Sequence, residues 1–459
     1  MKLKLLSIAT LVAISGSGSA LASSNTIPVG PNLGYGDASN NHTIFSTVAN
    51  PSWVGGNLHE ENNYGIGLSI GVRIKQNDFS TLNNQYKADV KPLLENFDNN
   101  PFTALAKATE IKDNLNTLIL DTRDSFYAQQ DFVASLPIVA TNNELGGLGF
   151  ELSGSAIGRQ SILAGDTPIN LKTAYLTNNP TASVDDMIAN GLDINTAIYI
   201  KTVTTKEAAI NYGHQFFENQ HGRLSVGVRA KMIQANLVKS ISNLDKYLTA
   251  ASRGDDISEQ LDEDLKKHTD ISDTDTNFGV DIGAQWFAEN WMAGLSLMNI
   301  NSPTFKYNPL GETNDEQGAS ERVFANHVSL KEEVELAPQA RIEGAVYSEN
   351  RHWSAAASYD LNSAKDLVSQ EYQWATISVA YAADASGSWV HALIPDVRLG
   401  YRTNLAGDQR SYITPGFTWG PLNLDLGFAN FDDIGKAISG DPDEIPEAFM
   451  ANIGLEVYF

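Results

Sequence analysis

The residues with the most chemistry in this 459-residue chain are charged side chains set two apart within apolar or glycine-rich segments. Arg73, Arg223, Arg229, Lys231, Arg341, Arg398 and Arg402 are balanced by Glu151, Asp281, Glu343, Asp360, Asp425 and Glu456. Charges so placed either pair with one another inside a packed interior or line a water-filled pore and act on permeating ions. Catalytic chemistry is poorly supplied. The eight histidines (His42, His59, His214, His221, His268, His327, His352 and His391) are scattered, and no Gly-x-Ser-x-Gly, His-Glu-x-x-His or phosphate loop occurs. No catalytic residue, metal site or cofactor is expected, and an enzyme whose residues meet only in space ranks third among the readings. The absence of cysteine excludes disulfides, thiolate metal sites, dithiol chemistry and a lipoprotein anchor.

Acidic side chains concentrate elsewhere. Residues 239–275 carry ten acids against five bases, and 431–447 carry six against one. Such oxygen-rich loops either share divalent cations with lipopolysaccharide phosphates or are simply solvated, and no EF-hand spacing is present. The whole chain carries a formal charge of −24, which repels nucleic acid.

The elements that position these groups begin at residue 64. Tyr64, Ile66, Leu68, Ile70, Val72 and Ile74 fall on one face of a period-two segment, and Gly65, Gly67, Ser69, Gly71 and Arg73 on the other. The same split recurs in segments starting near 148, 196, 207, 222, 276, 291, 334, 352, 373, 396, 411, 422 and 448. Fourteen alternating segments predict an all-β fold, a transmembrane antiparallel barrel of about 14 strands with an apolar face toward lipid. No stretch of 18 apolar residues follows the N-terminus, so only a closed barrel could span a bilayer. Trp286, Phe287, Trp291, Trp353 and Trp419 cluster at segment ends, as an interfacial girdle would. Tight turns at 288–290, 349–351 and 420–421 alternate with long connections, as periplasmic and outer loops do. The exception is 157–195, long where a short turn is expected.

The barrel needs export, and residues 1–22 read as a cleaved signal peptide. Lys2 and Lys4 precede the apolar run Leu5 to Ile14, and Ala20-Leu21-Ala22 forms the small-x-small site before Ser23. Removing them leaves a net charge of −26, since 29 Lys and Arg then oppose 55 Asp and Glu. Residues 23–63, rich in Gly, Asn and Ser, lack a core of their own and form either a plug or hatch inside the barrel or a disordered tail. Residues 64–459 form the barrel. Helical inserts are expected near 79–135, where Leu93, Leu94, Phe97, Ile111, Leu115, Leu118 and Ile119 follow helical spacing, and near 239–268. The first insert is either a self-packed lid or a partner-binding module. Ile453 to Phe459 is an alternating strand ending in Phe459, which resembles the signal read by the barrel-assembly machinery of outer membranes.

Within the plug candidate, Ala49-Asn50-Pro51-Ser52-Trp53 resembles the Asn-Pro-Ala hatch motif of FadL-type transporters of hydrophobic compounds, with Ser52 in place of Ala. Over nearly its full mature length the chain resembles the cysteine-free outer-membrane proteins grouped as TraF-like conjugal transfer proteins. A thioredoxin-like periplasmic protein shares that name, and its redox role is excluded here. The resemblance implies one of two functions. One is passive uptake of a hydrophobic small molecule, with Asn50, Pro51 and Ser52 gating. The other is a structural or surface-docking role toward conjugation or secretion components at a Gram-negative outer membrane. Outer-membrane lipid, lipopolysaccharide and the barrel-assembly machinery are the expected partners in either case, and no nucleic acid is expected.

Overall fold

The computed structural model describes residues 27–40, 43–55, 63–97, 100, 102–142, 144–253, 274–310, 328–329, 331–382, 395–439 and 446–459. Residues 1–22, expected to be a signal peptide, the acidic stretch 254–273 and residues 440–445 of the second acidic loop lie outside them. Fourteen antiparallel strands close a barrel. They are β1 (Tyr64–Asn77), β2 (Tyr127–Asn142), β3 (Gly146–Leu171), β4 (Leu192–Asn219), β5 (Gly222–Asn243), β6 (Asp275–Phe287) and β7 (Trp291–Met298), followed by β10 (Gln339–Tyr347), β11 (Trp353–Asp360), β14 (Trp374–Tyr381), β15 (Asp396–Asn404), β16 (Ser411–Trp419), β17 (Leu422–Phe428) and β18 (Ala448–Tyr458). The remaining strands form two small hairpins, β8 (Thr304–Lys306) with β9 (Glu333–Glu335) and β12 (Ala364–Lys365) with β13 (Glu371–Tyr372). β1 pairs with β18 to complete the closure, and Phe459 extends that seam through hydrogen bonds with Asn63 and Tyr64. Every wall strand thereby finds a partner on both sides, which is what allows strands to cross hydrocarbon.

The strand number expected from sequence is met, but through two errors that cancel. The segments starting near 196 and 207 are one strand, β4, of 28 residues. Conversely β2 occupies 127–142, so the first helical insert stops before it instead of running to 135. β2 escaped notice because its inward face carries Val133, Pro137 and Val139 beside Gln129, Asp131 and Ser135. That face covers the plug, not water, so the apolar and polar residues do not alternate cleanly, and an internal proline ordinarily argues against a strand. Adding β2 also removes the exception at the β3–β4 connection, though the 14-residue β14–β15 connection, 382–395, still falls on the short-turn side. The β3–β4 connection, 172–191, now falls on the same side as the other long loops, and the turns at 143–145, 220–221, 288–290, 348–352 and 420–421 share the opposite rim.

The outward faces of the strands expose Ile70, Ile282, Ile342, Ile377, Leu399, Ile453 and Leu455. An apolar surface continuous across the wall is foreign to water and suited to lipid. Trp291, Trp353, Trp419, Phe216 and Phe217 stand exposed near the short-turn rim, the depth of an interfacial girdle. β3, β4 and β5 have 26, 28 and 22 residues, whereas about 9–11 suffice to span a bilayer. Their excess rises above the long-loop rim. There helices Phe79–Gln85, Lys91–Glu95, Ala104–Thr122, Thr173–Asn178 and Leu244–Arg253 pack together as a cap around Leu94, Ile111, Leu115, Ile119, Met187 and Leu248. Just below, Ile157, Val203, Ile233 and Leu237 turn inward and bury Phe305, Val334, Leu367 and Val368 of the two hairpins. Among the described residues, the mouth on the long-loop side is thus filled by an apolar layer.

Candidate functional site

The described residues of the segment 27–55 lie inside the barrel, and most of them are fully buried. It has almost no regular structure beyond short turns at Gly30–Asn32, Ser46–Ala49 and Pro51–Gly55. Its backbone polar groups must therefore be satisfied by the wall. Gly30 N donates to Ser69 Oγ at 2.8 Å, Gly34 N to Asp425 Oδ2 at 3.1 Å and Ser39 N to Glu343 Oε2 at 2.6 Å. Ile44 N and Thr43 Oγ1 both donate to Glu456 Oε2 at 2.8 Å. In the other direction Ser378 Oγ donates to Tyr35 O, Asn452 Nδ2 to Pro28 O and Arg229 Nη1 to Val48 O. Ile27, Val29, Ile44, Phe45 and Val54 add an apolar contact with Val133 and Val139 of β2.

The turn that begins at Asn50 has the closest fit. Asn50 Nδ2 donates to Glu343 Oε1 at 2.7 Å, while Asn50 Oδ1 accepts from Ser52 N and Ser52 Oγ, bracing its own turn. Ser52 Oγ also lies 2.8 Å from Gln285 Oε1, and Ser225 Oγ donates to Ser52 O at 2.7 Å. Trp53 is 2% exposed and packs edge-on against Phe287, with ring centroids 4.9 Å apart. This turn rests on a row of glycines. Gly147 of β3 pairs with Gly213 of β4, Gly213 with Gly227 of β5, and Gly227 with Gly283 of β6. A Cβ at Gly147 would stand 1.6 Å from Val54 O, at Gly227 2.2 Å from Pro51 O and at Gly283 1.9 Å from Asn50 Oδ1. Only wall positions without side chains admit the hatch backbone so close. Strand parity with Arg229 and Asp281 puts Gly227 and Gly283 on the inward face, but their alignment follows only from strand register, which is a tertiary quantity.

The structure turns most of the inward-parity charges into the barrel, whereas Arg223 lies half-buried near the short-turn rim. Arg73, Arg229, Asp281, Arg341, Glu343, Arg398, Arg402 and Asp425 are each 8% exposed or less. Arg73 pairs with Asp131, Arg398 with Asp425 at 2.6 Å, Arg341 with Asp360 at 2.7 Å and Lys231 with Asp281 at 2.9 Å. Arg229 bridges Glu151 at 2.5 Å and Glu207 at 2.6 Å. Four inward charged groups do something that spacing did not announce. Glu343, Asp425 and Glu456 hold the hatch, and Arg402 reaches Asp37 of the hatch at 3.1 Å while its guanidinium lies 4.0 Å over the Trp374 ring. Asp37 has a left-handed backbone, with φ of 57°. Sequence reading also missed Lys75, Asp131, Glu207 and Asp408, which complete the pairs; Asp131 lies on the unrecognised β2, and Asp408 in the β15–β16 turn reaches Lys75 at 2.8 Å.

Above the ionic layer a cavity of about 50 Å³ remains beside the β12–β13 hairpin, lined by Lys231, Asn299, Asp366 and Trp374 among others. That volume holds a few waters at most. Burial, with the charge of Asp131 adding to it, pushes the Asp366 carboxyl up to about 6 against the hydrogen bond from Gln370 N. The described lumen is therefore filled from the hatch through paired charges to the apolar hairpins.

A family model described as the F plasmid transfer operon, TraF, protein matches residues 47–360. No curated protein matches. Among solved structures, the toluene transporter TbuX of Ralstonia pickettii is similar at 10% identity and a TM-score of 0.45, over 95% of this chain and 99% of that one. The Pseudomonas putida toluene transporter TodX is similar at 10% identity and 0.42, over 93% and 99%. A Pseudomonas aeruginosa FadL homologue is similar at 10% and 0.40, over 95% and 99%. The family model covers well over half of the chain, including the hatch turn and the strands that seat it, and the chain belongs to the F plasmid transfer operon TraF family.

Proposed function

We propose that this barrel is a gated passive channel of the outer membrane for hydrophobic small molecules, seen in its closed state, and that the segment 27–55 is its gate. The observation that carries this reading is the seat of the hatch. A segment that crosses the lumen, is held by non-covalent contacts without joining the wall's strand ladder and rests on a smooth glycine row can leave as a unit without breaking the wall. Asn50, Pro51 and Ser52 are the gating turn, and the apolar layer at the outer mouth offers a hydrophobic solute its first partition site. The test is uptake of a fluorescent apolar probe into liposomes holding the purified barrel. Faster uptake when the hatch turn is unseated supports the reading; uptake equal to that of protein-free liposomes in both forms refutes it.

A second reading is favoured by a different observation. The helical cap, carried by strands far longer than a bilayer requires, is an ordered head suited to docking conjugation or secretion components, or lipopolysaccharide. Deleting helix Ala104–Thr122 together with its flanking loop distinguishes the two: it should spare probe uptake and abolish any conjugation phenotype if docking is the role.

A further inference from the structure

The cavity of about 50 Å³ beside the β12–β13 hairpin lies where two layers of the lumen meet. Ile233, Leu336 and Leu367 line it on one side and belong to the apolar layer of the hairpins. Asn299, Asp366 and Trp374 line it with polar groups, and these residues are 6%, 5% and 2% exposed. Asn299 Oδ1, Asp366 Oδ2 and Trp374 Nε1 have no hydrogen-bond partner among the described residues. Buried polar atoms are ordinarily met, so three such atoms on one small cavity call for a ligand that meets them. The surrounding bonds hold them in place. Asp366 Oδ1 accepts from Val368 N at 3.0 Å and Gln370 N at 2.8 Å, which fixes the plane of the carboxylate. Asn299 N donates to Asp281 Oδ1 at 2.7 Å and Trp374 N to Asp360 Oδ2 at 2.8 Å, while the Arg402 guanidinium lies 4.0 Å over the indole.

We propose that this cavity receives the head of the transported solute, and that the head is an uncharged group that both donates and accepts hydrogen bonds, a hydroxyl or a primary amide. The inference rests on reading the barrel as a channel for hydrophobic small molecules, and it narrows that class to apolar chains with one neutral polar end. Such a head donates to Asp366 Oδ2 or Asn299 Oδ1 and accepts from Trp374 Nε1, while its chain lies in the apolar layer next to it. A plain hydrocarbon leaves all three protein atoms unmet, and a site built to bond a polar head rejects an analogue that lacks it. A carboxylate brings a second anion against Asp366, whose carboxyl burial raises only to about 6, so that it is ionised at neutral pH. An ammonium has nothing with which to accept from Trp374 Nε1, and it would stand beside Lys231, which also lines the cavity.

The experiment titrates the full barrel in detergent, labelled with ¹⁵N in its tryptophan indoles, with octan-1-ol, octanamide, octane and octanoate at matched mole fractions in the micelle. Trp374→Phe assigns the Trp374 indole signal, and heat-shifted gel migration checks folding. Octan-1-ol or octanamide should move that signal and half-saturate it at a mole fraction about tenfold or more below octane and octanoate. Asn299→Gly suits the left-handed backbone there, with φ of 55°, and should cut that preference over octane several-fold. Asp366→Asn removes the repelling charge and should improve octanoate about tenfold, an effect that a merely structural role for Asp366 would not produce. Equal half-saturation by octane and the two neutral polar probes, or a Trp374 signal that none of the four moves, overturns the inference and leaves the cavity to water. Liposome uptake measured on the same preparation separates the two levels. Faster uptake on unseating the hatch with no preference among the probes overturns this inference alone, whereas uptake equal to that of protein-free liposomes in both forms overturns the channel reading on which it rests.

Discussion

Replacing Gly227 by valine tests whether the glycine row is the seat of the hatch. Valine is a good strand former, so the wall should accept it. Inside, its Cβ would meet Pro51 O at 2.2 Å, and an ordinary contact of 3.4 Å requires the turn to retreat by about 1.2 Å. The atom that must give way is backbone, so the whole turn moves. That retreat breaks the bond from Ser225 Oγ to Ser52 O and strains that from Asn50 Nδ2 to Glu343 Oε1. Each is worth about 1 kcal/mol net, with a further cost for buried partners left unmet. It also withdraws Trp53 from Phe287, and partial loss of an aromatic side chain's burial costs about 2 kcal/mol. The total, about 4–5 kcal/mol, shifts the seated-to-unseated ratio by about three powers of ten. Because the chain has no cysteine, a single Ser52→Cys reports directly on seating. Ser52 is fully buried, so its cysteine should resist a membrane-impermeant maleimide in the wild-type background and react readily beside Gly227→Val. Equal protection in both backgrounds, with heat-modifiable migration unchanged, would refute the seat and the gate built on it.

Other outcomes follow from the same geometry. Glu343→Gln weakens the acceptor shared by Asn50 and Ser39 N, and should raise maleimide labelling at Ser52→Cys by about tenfold while leaving the barrel folded. Asp37→Asn removes the charge opposite the buried Arg402 and should cost about 3–5 kcal/mol in the denaturant midpoint of the folded barrel, whereas the double variant with Arg402→Met should recover most of it. Asp366 lies in the β11–β14 loop with its carboxyl raised to about 6, so the folded state holds the proton more tightly than the unfolded chain. Its contribution is favourable below the unfolded value and is lost as pH rises through about 6. Asp366→Asn should therefore raise stability at pH 8 by up to about 3 kcal/mol and change little at pH 4, as read from urea midpoints at the two pH values.

What the sequence by itself determined was the class of object. Period-two alternation with lipid-compatible residues on one face leaves a closed barrel as the solution that satisfies the backbone, and the inward charges could be named because side-chain direction in a strand follows from parity alone. The terms decided by tertiary structure are those in which a face does not meet a uniform medium. β2 was hidden because its inward residues pack on the hatch, and β4 was split because its outer half faces other protein instead of lipid. The hatch motif was legible as residues, but its seat was not. Gly147, Gly213, Gly227 and Gly283 lie up to 136 positions apart and become one surface only when the register of four strands is fixed. The same holds for Glu343, Asp425 and Glu456. Their spacing announces charge at the lumen, and whether each charge meets an arginine or the amide of a segment several hundred residues away is settled by closure of the barrel around the hatch.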